Sequence, residues 1–316
     1  MKTNLFICAA CLCASTAVLA QQNKAAILQA GSENAAFILQ TGKTNSASQT
    51  QQGYRNTNNQ ATLVQTGDDN TSFQKQLDLT FGSGADVIQT GKGNYAAQTQ
   101  DRAANSQLTI EQSGDANSAR QSQSDVAANA AYIYQSGNQN LAEQNQSYLG
   151  AENNLATIYQ AGNENSATQH QTQGGNAALI TQTGANNTAF QTQRFYSTAT
   201  ITQTGNGNQH TQDQFSRSFN NTATSSALGN NNYGYQRQFS SDNTSTIDQT
   251  GNYNSATTAQ SGGGFYMRGG HMSTIVQEGN NNQAEVEQFS HGDASHQSVI
   301  NQSGENQRAV VTQHSR

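Results

Sequence analysis

The sequence has no proline and no tryptophan, and only 11% of its 316 residues are charged. Apolar residues amount to 33%, too few to offset the entropy of ordering such a chain around a conventional globular core. Most of the remainder is Gln, Asn, Ser, Thr, Gly and Ala, a composition typical of disordered, prion-like tracts. The absence of proline argues against disorder, because linkers are usually rich in proline whereas a structure with every backbone N–H in a ladder excludes it.

Cysteine is confined to the leader, residues 1–20. This segment has a basic start at Lys2, an apolar run, and small residues ending at Ala20, a pattern that predicts a signal peptide and export. A lipoprotein leader is disfavoured because no cysteine follows a Leu-small-small run. The mature chain, from about Gln21, would have no cysteine, which excludes disulfides, thiol catalysis and thiolate metal sites.

Charge and hydropathy exclude two further classes of partner. No later run approaches the roughly 18 apolar residues that span a bilayer, so no membrane span is expected. The formal net charge is −6 and basic residues form no cluster, which argues against nucleic acid as the main partner.

An internal repeat dominates the rest of the chain. The pattern Gln-x-Gly-x-x-Asn-x-Ala-x-x-x-Gln occurs in twelve units whose starts are 21 to 28 residues apart. The first Gln, absent only from the unit that starts at Ala227, is Gln40, Gln65, Gln89, Gln112, Gln135, Gln160, Gln182, Gln203, Gln249, Gln277 and Gln302. The glycine two places on is Gly42, Gly67, Gly91, Gly114, Gly137, Gly162, Gly184, Gly205, Gly229, Gly251, Gly279 and Gly304.

The second half of each unit is equally regular. The asparagine five places on, replaced only by Gln307, is Asn45, Asn70, Asn94, Asn117, Asn140, Asn165, Asn187, Asn208, Asn232, Asn254 and Asn282. The last Gln, eleven places on, is Gln51, Gln76, Gln100, Gln123, Gln146, Gln171, Gln193, Gln214, Gln238, Gln260, Gln288 and Gln313. An extra half-unit containing Gln29, Gly31 and Asn34 precedes the first full one, so each full unit resembles two similar strand-turn pieces.

The alternation around these residues has period two. With the first Gln as position 0, an aliphatic residue lies at position −2 in eleven units, beginning with Ile38 and ending with Ile300. Positions −2 and 0, and then +7, +9 and +11, should therefore face inward on two successive strands. Gly-x-x-Asn between them predicts a tight turn with Asn in the left-handed region. Stacked units give an all-β fold, a two-sheet parallel β-solenoid of about twelve strand-turn-strand rungs, with strands about 4.8 Å apart.

Inward glutamines need partners, because a buried carboxamide without one costs roughly 1 to 3 kcal/mol. In a solenoid each Gln lies over its copy in the next rung, so its C=O and NH2 can bond along the axis. Position +9 is also Gln in nine units. We therefore predict up to three Gln ladders beside an aliphatic column and an Ala column.

The pattern is similar to the curlin repeat of bacterial curli fibres, Ser-x5-Gln-x-Gly-x-x-Asn-x-Ala-x3-Gln, over roughly residues 24–316. The resemblance implies secretion through an outer-membrane pore, nucleated assembly at the cell surface, and a role in biofilm matrix and adhesion. The domain prediction is a signal peptide at 1–20, an N-terminal segment with the half-unit at 21–34, and the curlin-repeat solenoid at 35–316. The unit at Ala227 is expected to be irregular.

Other functions find little support in the residues. Among the histidines only His291 and His296 are close in sequence, and their spacing suits neither a strand face nor a helical metal pair. Carboxylates recur at no fixed place that would build a catalytic acid and base. We predict no metal, no cofactor and no enzymatic activity. An ice-binding β-solenoid is the main rival outside the curlin class, because Thr recurs just after the first Gln, as at Thr41 and Thr66.

Aromatic residues cluster in the looser turns, where they either cap the solenoid edge or mediate lateral bundling and adhesion. They are Phe195, Tyr196, Phe215, Phe219, Phe239, Phe265, Tyr266 and Phe289.

The predicted function is a structural, fibre-forming subunit that polymerises with itself into an extracellular fibre at the bacterial cell surface. The alternative is a minor or nucleating subunit that anchors fibres there. The last unit keeps Gln302, Gly304, Ala309 and Gln313, which favours ordinary growth, whereas a cationic group in the same unit is a weaker hint of anchoring. That group is Arg308, His314 and Arg316.

Overall fold

The computed structural model describes residues 22–215, 219–262, 270–291 and 294–315. Within these ranges the regular elements are all β-strands, so there is no helix that could cross a membrane. The chain divides into an N-terminal unit, Met1–Asn153, and a C-terminal unit, Asn154–Arg316. The predicted signal peptide lies outside the described residues and stays a prediction.

The N-terminal unit contains two parallel sheets in which strands alternate along the chain. The first sheet consists of β1 (Lys24–Gln29), β3 (Ser46–Gln51), β5 (Thr71–Leu77), β7 (Tyr95–Ala104), β9 (Ser118–Ala127) and β11 (Leu141–Glu152). The second consists of β2 (Ala35–Thr41), β4 (Gln60–Asp68), β6 (Gly84–Lys92), β8 (Gln107–Asp115) and β10 (Ala130–Asn138). The longer segment before Gln160 begins with a register shift in β11 between Ser147 and Ala151.

The C-terminal unit repeats this arrangement. Its first sheet consists of β13 (Ser166–Thr172), β15 (Thr188–Arg194), β17 (Gln209–Gln214), β19 (Tyr233–Gln238), β21 (Ser255–Gly262), β23 (Gln283–Ser290) and β25 (Arg308–Ser315). Its second sheet consists of β12 (Leu155–Asn163), β14 (Ala177–Ala185), β16 (Thr198–Asn206), β18 (Thr222–Leu228), β20 (Thr244–Thr250), β22 (Met272–Asn280) and β24 (Gln297–Glu305).

Equivalent positions of successive units lie side by side. In β8 and β10, for example, Ile110 is paired with Ile133 and Gln112 with Gln135. The aliphatic residues at −2 are fully buried from Leu63 onward, because the two sheets of each unit pack these alternate side chains between them. The predicted fold class, an all-β two-sheet parallel β-solenoid of about twelve rungs, is confirmed.

The tight turn differs from the prediction in one respect. Its glycine has positive φ, for example 108° at Gly67, and a Cβ there would lie 2.1 Å from the carbonyl oxygen of Gly91 in the next rung. The left-handed non-glycine residue, however, is at +4, as at Asp69 and Ala116, and not the asparagine at +5. The prediction of a left-handed Asn was wrong because the residue before the Asn takes the left-handed conformation, and the Asn side chain bonds inside the turn to neighbouring rungs.

Candidate assembly interface

The first glutamine of each unit forms an amide ladder along the axis. In the N-terminal unit, Gln65 Nε2 donates to Gln89 Oε1 at 2.8 Å, and Gln89 Nε2 donates to Gln112 Oε1 at 2.8 Å. The same Gln65 Nε2 also donates to the carbonyl oxygen of Ser46 at 3.2 Å, so each amide joins neighbouring strands and also reaches the return strand. In the C-terminal unit the ladder is interrupted only where Ala227 lies between Gln203 and Gln249.

The last glutamine of each unit forms a second ladder within each of the two units. Gln51 Nε2 donates to Gln76 Oε1 at 2.7 Å, and Gln288 Nε2 donates to Gln313 Oε1 at 2.9 Å. Every such bond has the same direction, with Nε2 donating to Oε1 of the following rung. The ladder is therefore polar, and each of its two ends presents a different group.

The +9 position forms a third ladder that ends before the C-terminus. Gln212 Nε2 donates to Gln236 Oε1 at 2.7 Å, but the next three inward residues are Thr258, Val286 and Val311. In the last two rungs valine therefore replaces the amide side chain, and Val286 packs in a fully apolar cluster that includes Ile300.

The asparagine at +5 is buried and holds the turns of three rungs together. Asn94 Nδ2 donates to Asn70 Oδ1 of the preceding rung at 3.1 Å and to the carbonyl oxygen of Gly114 in the next rung at 2.7 Å, and Asn94 Oδ1 accepts from the backbone N–H of Asn117 at 3.0 Å. At the last unit Gln307 replaces it, and its Nε2 bonds instead to Ser303 within the same turn.

A matching column in the second turn was not predicted. The residue six places before the first Gln is inward-facing and bridges rungs as the +5 Asn does; Asn154 Oδ1, for example, accepts from Asn176 N at 2.9 Å. The column consists of Asn34, Asn59, Ser83, Ser106, Asn129, Asn154, Asn176, Ser197, Asn221, Asn243, His271 and His296. The signal in the sequence is the Asn or Ser at fixed spacing, which corresponds to the Ser of the quoted repeat pattern.

The irregular unit that starts at Ala227 has small inward residues that make room for a large side chain in the preceding rung. His210 lies at the +7 position, where other rungs have Ala, and is fully buried. Its Nδ1 contacts Ser225 Oγ, and a Cβ on Gly234 would lie 2.9 Å from that nitrogen. The larger His side chain is therefore accommodated by smaller residues in the following rung. Burial lowers the pKa of His210 to about 4, opposed in part by the Gln249 side chain.

Two other histidines, His271 and His296, form a pair that sequence spacing did not indicate. His296 stacks on His271, one rung away, with ring centroids 5.2 Å apart, and the His296 backbone N–H donates to His271 Nδ1 at 3.2 Å. Burial and the neighbouring His296 lower the pKa of His271. Across the described ranges, His, Cys, Asp and Glu side chains form no group of three that could hold a metal ion.

The aromatic residues of the looser turns form stacks along the edge of the C-terminal unit. Phe215 and Phe239 are 6.5 Å apart and nearly parallel, and the guanidinium group of Arg237 lies 4.0 Å from the Phe239 ring centroid. Phe195 contacts Phe219 with centroids 5.4 Å apart. Residues 265 and 266 lie outside the described ranges.

Residues 21–53 match a family model, the curlin associated repeat. Over these 33 residues the chain is similar to that repeat family. The matched segment contains β1, β2 and β3, and the other units repeat its residues in register. The family is a structural, non-enzymatic one. A comparison with curated proteins found no match.

Proposed function

We propose that this protein is a structural subunit of extracellular curli-type amyloid fibres, which self-assembles into biofilm matrix and mediates adhesion. The observation that supports the proposal is the polar set of amide ladders, which runs along each unit with an interruption at Ala227 and is open at β1 and β25. Growth at these strand edges needs no cofactor and no catalytic chemistry.

The open edges provide the driving force for assembly. An edge strand presents unpaired N–H and C=O groups that template pairing with another chain. Stacked Gln and Asn side chains add a further set of hydrogen bonds that only an identical strand can complete in register. The partner that best fits these edges is another copy of the chain, which makes the fibre a homopolymer.

Export and cell-surface assembly are part of the same proposal. The leader at 1–20 would direct secretion, an outer-membrane pore would release the chain, and a nucleator subunit would start the fibre at the bacterial surface. The predicted boundaries at 20 and 34 follow the leader and the half-unit. These partners rest on the family resemblance.

The proposal favours a major subunit over a nucleating one. In the last rung Gln302 and Gln313 accept amide bonds from the preceding rung at 2.8 and 2.9 Å, so its strands continue both ladders to the end. A nucleator dedicated to surface anchoring would have less need of a regular last rung.

Polymerisation of the purified chain from Gln21, without additives, tests the proposal. We expect a lag, then unbranched fibres in electron micrographs and a rise in thioflavin fluorescence, both accelerated by preformed fibre seeds. A chain that stays soluble and monomeric at high concentration would contradict the proposal.

Ice binding remains the second candidate because of an outward threonine array on the C-terminal unit. β16 presents Thr198, Thr200, Thr202 and Thr204 on one face, and Thr222 and Thr224 of β18 lie directly beside the first two. The array is regular in two directions, as a lattice-binding surface must be. Inhibition of ice recrystallisation by the wild-type chain, lost in Thr200→Lys, would support this function; no inhibition would exclude it.

A further inference from the structure

The first sheet provides the outermost strand at each chain end. At the N-terminal end β1 extends this sheet by one strand beyond β2 of the second sheet, and at the C-terminal end β25 follows β24 in the same way. Within the residues that the structure describes, the two strand edges that a further copy would meet in the first sheet are therefore β1 and β25.

The inward side of β1 departs from the repeat. Ala25, Ile27 and Gln29 are paired with Ala47, Gln49 and Gln51 of β3. Ile27 thus occupies the +9 position, where nine units have Gln. Since isoleucine has no amide to donate, the side-chain oxygen of Gln49 has no hydrogen-bond partner although Gln49 is only 1% exposed. An isoleucine here therefore leaves a buried amide oxygen unpaired within the chain.

The inward side of β25 carries the matching residues. Ala309, Val311 and Gln313 follow Ala284, Val286 and Gln288 of β23 in register. Ala309 and Val311 are only partly buried, and they pack against the apolar cluster of the last rungs. The C-terminal edge therefore presents a small, an aliphatic and an amide side chain, in the same order as β1.

We propose that β25 of one copy pairs in parallel with β1 of the next, with Ala309 on Ala25, Val311 on Ile27 and Gln313 on Gln29. This junction rests on the proposed self-assembly and specifies its register. The amide direction agrees, because Gln29 Nε2 already donates to Gln51 Oε1 at 2.6 Å, leaving Gln29 Oε1 to accept from Gln313 Nε2 of the neighbouring copy.

The competing junction displaces β1 and pairs β25 directly with β3. It would place Val311 on Gln49, and the Gln49 amide oxygen would again lack a donor inside the core. The proposed junction instead continues the aliphatic column of Val286 and Val311 into Ile27. It leaves one strand position open in the second sheet, between β24 of one copy and β2 of the next, a separation of about two strand spacings or roughly 9.6 Å.

Disulfide trapping distinguishes the two junctions, since the mature chain is expected to have no cysteine of its own. Ala26 and Val310 lie on the outward side of their strands, and the proposed register makes them neighbours, within the Cα separation of about 4.4 to 6.8 Å that a disulfide requires. Ser48 is the corresponding outward residue of β3. The test uses two variants of the chain from Gln21, Ala26→Cys/Val310→Cys and Ser48→Cys/Val310→Cys, oxidised after polymerisation.

We expect covalent multimers from fibres of the first variant and none from the second. Multimers from the second variant alone, or fibres that cross-link in neither, would overturn the junction while leaving self-assembly intact. A wild-type chain that forms no fibres would overturn the proposed function, and the junction with it.

The elongation rates of single and double substitutions at positions 27 and 311 provide a second test of the junction. Ile27→Gln gives Gln49 its missing donor and should stabilise the monomer, but it places an amide on Val311 of the next copy and should slow elongation about tenfold. Val311→Gln alone should slow it similarly. The double variant should recover most of the lost rate, and Ile27→Val is the control that keeps the aliphatic contact. Additive losses in the double variant would contradict the pairing.

Discussion

Acid should destabilise the C-terminal unit at one identifiable rung. His210 is fully buried, and the inward residues that face it from β15, β18 and β19 are Ala189, Ser225 and Gly234, none of which carries a charge. A protonated imidazole there would be a buried cation without a counter-ion, which is why burial holds its pKa at about 4.

The sign and size of the effect follow from proton linkage. The unfolded chain protonates His210 below its ordinary pKa of 6.5, whereas the folded chain does so only below about 4. Between these values the unfolded state binds more protons, so the free energy of unfolding falls as the pH falls. At 1.36 kcal/mol per pH unit the loss reaches about 3 kcal/mol near pH 4, and acidification below that pH adds nothing further from this group.

The assay is urea unfolding of dilute, unpolymerised chain at about pH 7 and about pH 4, followed by circular dichroism. The matched variant is His210→Ala/Ser225→Ile/Gly234→Ala, which restores the usual residues of the repeat and should lose about 3 kcal/mol less than the wild type on acidification. His271→Asn, which returns the usual residue of its column, separates the contribution of the His271–His296 pair. An equal loss of stability in wild type and triple variant would refute the assignment to His210.

Three further predictions concern the ladders, the turns and the last rung. Gln112→Leu should slow polymerisation, since it leaves amides unpaired in both neighbouring rungs at about 1 to 3 kcal/mol each, whereas the outward change Thr181→Ser should leave the kinetics of assembly unchanged; similar kinetics for the two would contradict the inward assignment. Gly91→Ala should abolish folding of the N-terminal unit by circular dichroism, because its Cβ would lie 2.1 Å from the Gly114 carbonyl oxygen; a folded variant would show that the turn can relax. Deleting 297–316 should leave polymerisation intact, because β23 presents the same inward residue types as β25; loss of cell attachment with normal polymerisation in solution would favour an anchoring subunit instead.

Much of the solenoid could be predicted because its determinants are local and repeated. The period-two pattern around Ile110 and Gln112 identifies the inward side of each strand, and the burial of Gln is acceptable only if its copies stack. Both conditions are visible in the sequence. The register, with like residues opposite each other, follows from the constant spacing between the first Gln and the turn glycine.

The details of the turns could not be predicted in the same way. Asn and a left-handed backbone are correlated in general, but here the residue before the Asn takes positive φ, as Ala116 does, so that the Asn side chain can reach three rungs. That requirement becomes visible only when the rungs are stacked. The same is true of His271 and His296, which are distant in sequence and adjacent in space.

The significance of the end strands can be recognised only from the sequence and the strand register together. Ile27 is an ordinary residue in a strand, and its significance follows from its position beside Gln49, whose amide it leaves without a donor. The count of strands at the N-terminal end adds the second constraint, because the half-unit at Gln29 extends one sheet and not the other. Neither the composition nor the repeat pattern indicates which strand should receive the next copy.

The central claim is that the fibre is an end-to-end continuation of the solenoid, and diffraction from oriented fibres of the chain tests it most directly. Parallel strands stacked along the fibre axis should give a sharp meridional reflection near 4.8 Å, and the two packed sheets should give an equatorial reflection near 10 Å. Fibres without the meridional reflection, or with the strand spacing on the equator, would contradict the account.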